Sequence, residues 1–569
     1  MIPSVLAQHI KEGISDFLKT TFPISTPFFH GMLERFLEKE GEVFKGPYLS
    51  IQLPFRPGKV GKDFFKDFSI PFNPYLHQEI AFMRLCGTSS RSTIIATGTG
   101  SGKTECFLYP ILDYCLKQKG KPGIKAILIY PMNALATDQA GRLARIIYNN
   151  SAFRGKITAG LYVGQSEYEP SMSMGQEYII TNKETMRLSP PDILLTNYKM
   201  LDYMLIRPKD YPLWKQNLPE TLRYIVVDEL HTFDGAQGTD LACLIRRLKA
   251  RLGIPKGYLC CVGTSATLGN KEDQKELISY ASMLFGEEFD EGSVITESQL
   301  SPDEFLEDSP ISWIEAVPIE RQELLDPQNH QGYQDYIMAQ HELWFGERIK
   351  EDEFNDSNWR IELGRKLKRH FFFQNLLRIL GGNVKSYGEI TSELEKIYPE
   401  LKEWSLRYKT LLLDSLLSLV SEARNFQKDG GDKNTFPFLN VRMHFWIREL
   451  RRMVGKVSQD PQLRFSDDLN EDQLKNHLPI VHCRECGSMG WAGIKGQDDK
   501  FINPDLQEFY IRFFKNDHKV VFLFPEDNKN SEDKENSING AYVAHVLVLI
   551  LKMSGEDVPF VEVMNSSES

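Results

Sequence analysis

The chain has 569 residues, 41% hydrophobic and 25% charged, which predicts several folded domains, each able to bury a core. No apolar run approaches the roughly 18 residues that a membrane helix needs, and the net charge of −11 excludes a protein that coats nucleic acid by bulk attraction, though not one with a local basic groove. The eight cysteines are sparse: six lie in apolar stretches and read as buried, reduced thiols, while Cys483 and Cys486 are spaced like ligands.

In chain order, MIPSVLAQHIKEGISDFL carries Lys11, Glu12 and Asp16 and reads as an amphipathic helix and not a leader, so a cytoplasmic location and no membrane partner are expected. It opens a Pro- and Phe-rich lead-in, residues 1–70, where GPYLSIQLPFRPG predicts a strand and a turn. PYLHQEIAFMRL predicts a short helix, STIIA a strand, TGTGSGKT a loop and ECFLYPILDYCLKQ a helix. Strand and helix keep alternating through KAILIYP, NALATDQAGRLARIIYNN, ITAGLYVG, DILLTNYKMLDYMLI, RYIVVDE, QGTDLACLIRRLKARLG and YLCCVGTSAT. Such alternation predicts an α/β domain at 71–295, a parallel sheet with helices on both faces. Residues 296–435 read as a mainly helical insertion ending in the loop DGGDKN. Residues 436–569 read as a small α+β region with a strand-to-helix segment FLNVRMHFWIRELRRM, a C-x-x-C, a polar loop at 526–540, and a buried helix or strand near Tyr542 to Leu551.

TGTGSGKT at 97–104 carries the strongest chemical signal. Between a strand and a helix, successive backbone N–H groups and the helix N-terminus converge on phosphates, and glycines let the backbone come close. The expected phosphate contacts are Thr99, Gly100, Ser101, Gly102 and Lys103, with the Thr104 hydroxyl on Mg²⁺. Thr97 stands where the commonest pattern has its first glycine. IVVDELH then puts Asp228 and Glu229 at the end of a buried strand, where open α/β sheets bind ligands. Asp228 is expected to hold Mg²⁺ through water, Glu229 to orient and deprotonate an attacking water, and His231 to couple this site to a neighbouring motif.

TGTGSGKT, PMNALATDQ, TNYKMLDYML, DELHTFDGAQGTDLACLIRRLKARLG and GTSATLG occur in the order of helicase motifs I, Ia, Ib, II and III. The chain resembles the YprA- and Lhr-like branch of superfamily 2 DEAH-type helicases, some of which occur in bacterial defence systems, over residues 71–290. The resemblance implies a RecA-like domain that binds ATP and magnesium. It implies adenine recognition by Gln78, contacts to one nucleic-acid strand by Pro131, Met132, Asn133, Ala134, Thr196 and Asn197, and coupling of hydrolysis to movement by Ser265, Ala266 and Thr267. Arg246, Arg247, Lys249 and Arg251 form a basic stripe, a pattern that is more often a solvated helix face than a binding surface.

Such helicases close a second RecA-like domain over the nucleotide, bringing arginines in a Q-x-x-G-R-x-G-R motif. None follows Leu300, and the GEDVPFVEVMNSSES tail reads as a stop inside a domain, so this chain is expected to be an N-terminal portion. Cys483 and Cys486 form half of a zinc knuckle without its second half. The sequence therefore predicts an ATP-dependent DNA or RNA helicase, weak alone, acting on single-stranded or duplex nucleic acid, with DNA favoured by the resemblance. The alternative is a non-catalytic, ATP-switched subunit or scaffold of a nucleic-acid-processing or defence complex.

Overall fold

The computed structural model describes residues 2–563 apart from 88, 99, 165–169, 267–270, 308, 316, 318, 357, 427–434, 496–501, 504, 526–546 and 554–555. The chain divides into two units, one formed by Met1–Leu53 with Ser301–Ser569 and the other by Pro54–Leu300. Among the described residues no helix is long and apolar enough to cross a membrane. The first strand, β1 (Phe44–Gln52), belongs to the first unit.

The Pro54–Leu300 unit is built on β2 (Thr93–Ala96), β3 (Ala126–Tyr130), β4 (Ala159–Tyr162), β5 (Ile193–Asn197), β6 (Tyr224–Val227), β7 (Cys260–Ser265) and β8 (Val294–Thr296). They form one parallel sheet in the order β4-β5-β3-β6-β7-β2-β8. Successive residues of a strand feed opposite faces. Ala126, Leu128 and Tyr130 of β3 enter one core with Val226 and Val262. Ile127 and Ile129 enter another with Ile225, Val227 and Leu244. Both faces are thus covered, as the continuous apolar runs require.

The other unit contains β9 (Lys385–Ser386), β10 (Arg424–Phe426), β11 (Thr435–Pro437), β12 (Asn440–Ile447), β13 (Met453–Lys456), β14 (Leu463–Phe465), β15 (His477–His482), β16 (Met489–Lys495), β17 (Ile502–Asn503), β18 (Val520–Pro525), β19 (Leu547–Met553) and β20 (Glu556–Val563). Helices such as Tyr333–Phe345, Phe371–Leu380 and Leu406–Glu422 make the stretch before β10 mainly helical. The strands after β12 form an antiparallel sheet, β14-β13-β15-β16-β18-β20-β19 with β17 on β16, and β1 pairs with β12 and β9 in a smaller one.

Several expectations are corrected here. The lead-in is not a piece of its own. Leucine and isoleucine of β1 are buried, β1 pairs with β12, and Phe29 packs on Trp491 with ring centroids 4.6 Å apart, so residues 1–53 complete a core supplied by the far end of the chain. Residues 54–70 instead join the parallel-sheet unit, where the buried Glu79 carboxylate accepts the N–H groups of Lys59, Val60 and Gly61 at 2.7, 2.8 and 3.0 Å. The boundary expected at 295/296 lies at Leu300, and the helical stretch and the antiparallel sheet share one unit. The segment directly after β12, residues 448–452, is not a helix: Arg448 and Arg452 are drawn to Asp468 and Asp467, and Arg452 turns the chain at φ 55°. Cys106, Cys115, Cys260 and Cys261 are buried as expected and Cys86 is half-buried, but Cys243 is exposed. DGGDKN, between β10 and β11, lies outside the described residues, and so does the 526–540 loop.

Candidate nucleotide-binding site

In a parallel sheet all strands end on one edge. The register Ala96↔Ser265 and Val227↔Gly263 therefore brings the exits of β2, β6 and β7 side by side. The exit of β2 is the loop that runs into the helix Lys103–Lys117. Ser101 Oγ bonds Thr97 Oγ1 and Gly98 O, each at 2.7 Å, and Glu297 at the exit of β8 accepts the Gly98 N–H at 2.6 Å. His77 donates from Nε2 to Ser101 O at 2.8 Å, and burial holds its ring below the usual histidine range, so it is neutral at pH 7. Gly102 has φ 78°, and a Cβ there would lie 2.3 Å from Gln78 Nε2. Thr99 lies outside the described residues.

The exit of β6 carries the two carboxylates. Asp228 is pushed above the usual carboxylate range, chiefly by burial, while the Thr264 hydroxyl, donating to Asp228 Oδ1 at 2.5 Å, pulls it back. The same hydroxyl accepts the Glu229 N–H at 3.0 Å. Glu229 sits in the left-handed region at φ 51°, a conformation that non-glycine residues adopt at a cost of about 1 kcal/mol or more. Its carboxylate lies 3.5 Å from Lys103 Nζ and 3.5 Å from His231 Nδ1. Lys103 also donates to Ser265 O at 3.4 Å, and His231 Nδ1 lies 3.4 Å from Ser265 Oγ. Gln78, Gly100, Gly102, Lys103, Thr104, Asp228 and Glu229 line one cleft of about 510 Å³. Gln78 is nonetheless buried, its amide engaged by Tyr75 N at 2.9 Å and Gly102 O at 3.2 Å, so it braces the loop.

On the same sheet edge Asn197 Nδ2 donates to Asn133 Oδ1 at 2.6 Å, which joins two of the segments expected to hold a strand. Met132, Asn133 and Ala134 are exposed and Pro131 is half-buried. Thr196 corrects the expectation: it is fully buried and its hydroxyl donates to Tyr162 O at 2.6 Å, so it locks β5 to β4. Ser265 is buried and Ala266 exposed, and Thr267 lies outside the described residues. The basic stripe is tied to its own unit: Arg246 to Met283 O, Arg247 to Asp202, Lys249 to Glu287, and Arg251 to Leu205 O.

Residues 75–275 match the DEAD/DEAH box helicase family. This stretch is a DEAD/DEAH box helicase domain. The chain is 30% identical to Druantia protein DruE of Escherichia coli (strain UMEA 4076-1), over 35% of this chain and 16% of the relative. It is 28% identical to the uncharacterized ATP-dependent helicase MJ1574 of Methanocaldococcus jannaschii, over 44% and 34%, and 29% identical to the uncharacterized ATP-dependent helicase YprA of Bacillus subtilis (strain 168), over 36% and 24%. The chain thus spans about a third or less of the length of these relatives.

Within the helicase domain, sequence reasoning missed Thr264 and Glu297. Thr264 directly precedes the SAT segment and bridges the Asp228 carboxylate to the Glu229 backbone N–H, whereas Glu297 lies far from any motif and only the sheet order reveals it. A larger cavity, about 930 Å³, lies beside Asp113, Lys117, Arg223 and Tyr224 near the strand entrances, and none of the loop residues lines it. In the other unit, Cys483 and Cys486 are exposed on the turn between β15 and β16, and hydrogen bonding with Ser488 draws the Cys486 thiol below its usual value. No group of three or more potential ligands is found among the described residues.

Proposed function

We propose that this chain is the ATP-binding half of a nucleic-acid motor, a helicase or translocase with DNA as the favoured track, completed by a second RecA-like domain or subunit. The observation that carries this reading is the convergence of Lys103, Thr104, Asp228 and Glu229 on one cleft at the ends of parallel strands. The residues fit a nucleotide with its metal. Gly100 has nothing within 4 Å of an added Cβ, which leaves open space beside the loop, and half-buried Asp228 offers an oxygen donor that gains from a nearby cation. Thr104 and Asp228 would hold magnesium, which neutralises charge on the phosphates.

Lys103 bonds Glu229 across the cleft, and a triphosphate competes for that ammonium with far more negative charge. Transfer of Lys103 to the phosphates frees Glu229 to accept the proton of the attacking water. His231 contacts both Glu229 and Ser265, so loss of charge at Glu229 is felt by the segment after β7. Asn133 and Asn197, joined on the same edge, would hold backbone phosphates without reading sequence.

Replacing Lys103 with Ala should weaken ATP binding at least about tenfold, measured with a fluorescent ATP analogue. Glu229→Gln should keep ATP binding and lower single-turnover hydrolysis by about 100-fold or more. Unchanged ATP binding in Lys103→Ala would sink the proposal. Full biological function in Glu229→Gln would favour the ATP-switched scaffold instead.

A further inference from the structure

The small antiparallel sheet β12-β1-β9 has two different faces. One is core: Phe44 stacks on Phe445 at 5.7 Å, and Leu49 and Ile51 are buried. The other presents three cross-strand pairs in succession, Lys45 with Trp446, Tyr48 with His444, and Ser50 with Arg442. Its rings form a continuous platform. His444 lies parallel to Trp446 with centroids 5.8 Å apart and planes at 17°, and Tyr48 meets Trp446 edge-on at 5.0 Å. Ser50 Oγ, 2.9 Å from His444 Nε2, fixes the histidine ring in this stack. Trp446 remains 51% exposed, an unusual place for a large ring, on a strand that is the edge of its sheet.

Cations frame the rings at both ends, because Lys45 and Arg442 are exposed. Asp468, which feels Lys45, is already held by a forked bond from Arg448 at 2.5 and 2.9 Å. Of this face Ser50 is buried, His444 and Tyr48 are half-buried, and Trp446 stands exposed. An exposed ring backed by a parallel one and flanked by positive charge suits a ligand with flat faces and a charged backbone. That is the chemistry of an unpaired nucleic-acid strand, whose bases stack on rings while its phosphates meet lysine and arginine. A duplex hides its base faces and fits this surface poorly.

We propose that the outer face of β1 and β12 is a binding platform for single-stranded nucleic acid, in which a base stacks on Trp446 and adjacent phosphates meet Lys45 and Arg442. This goes beyond the motor reading and holds whether or not the other unit turns over ATP.

The full chain should be titrated, without nucleotide, into a labelled oligothymidylate of about 15 nucleotides at low salt, followed by anisotropy. Trp446→Ala should weaken binding about 5- to 100-fold, the span expected for loss of one stacked base, and Trp446→Phe should restore most of it. A 5-iodouracil oligonucleotide should photocrosslink within residues 44–52 or 440–447, as mapped by mass spectrometry. Binding of the ATP analogue should be the same in Trp446→Ala and the parent chain, which separates this result from failure of the nucleotide site. Equal affinity of Trp446→Ala and the parent chain overturns the proposal. So does failure of Trp446→Phe to restore binding, equally tight binding of a blunt duplex, or crosslinking confined to other segments.

Discussion

Thr97 shows how a departure from the commonest phosphate-loop pattern is absorbed: its hydroxyl accepts from Ser101 and ties the base of the loop. Lys103 and Asp228 were legible because loop and strand end each follow a chemical rule that acts locally. Thr264 was not, because its role depends on a neighbouring strand. Asp228 also carries a stability cost. Its pKa is raised in the folded chain, so the stability it contributes is present below its unfolded value and lost as pH rises through the folded value. Above the folded value, therefore, the half-buried charge destabilises the metal-free domain. Asp228→Asn should raise the metal-free Tm in calorimetry near pH 7.5 while reducing ATP hydrolysis about 100-fold or more. A lower Tm would show that burial is not the dominant influence on this carboxylate.

At the level of strands and helices, the Pro54–Leu300 unit was readable because buried parallel strands are short continuous apolar runs separated by amphipathic helices. The other unit was less so. RELRRM has a helical composition, yet Asp468 and Asp467 capture two of its three arginines, Arg448 and Arg452, a tertiary pull that local propensity does not contain. Nor does local sequence show that Thr196, placed by the resemblance in a strand-contacting motif, spends its hydroxyl on the carbonyl of Tyr162. The first helix, Pro3–Thr21, is joined to the helix Leu406–Glu422 by a buried carboxylate, Asp414, which accepts from Ser4 and from the Tyr387 hydroxyl. Burial raises Asp414 to about 6. Its stabilising contribution is present below the unfolded value and disappears as pH rises through about 6. Asp414→Asn should keep the contact and flatten the slope of Tm against pH between about 4 and 7. An unaltered slope in thermal melts would assign that pH dependence to other groups.

Across the whole molecule, the helicase domain lies within the chain of another unit. Its entry and exit meet, since Leu300 N donates to Pro54 O at 2.9 Å and Arg56 N to Ser298 O at 2.8 Å. Both cores of the parallel sheet are supplied from within Pro54–Leu300. Residues 54–300 expressed alone should therefore melt cooperatively and bind the ATP analogue within about threefold of the full chain. Absence of a cooperative transition would mean that the domain borrows its stability from outside. Sequence reading could not foresee this nesting, because alternation marks where a sheet lies but not which distant strand completes β1. Ser50 and His444, which join β1 to β12, are 394 residues apart. At a ribosomal pace of about 5–20 residues per second, β1 waits roughly 20–80 s for its mate to be synthesised. During that interval its leucine and isoleucine side chains are bare, so production of this protein in a cell should lean on chaperones that shield nascent apolar segments.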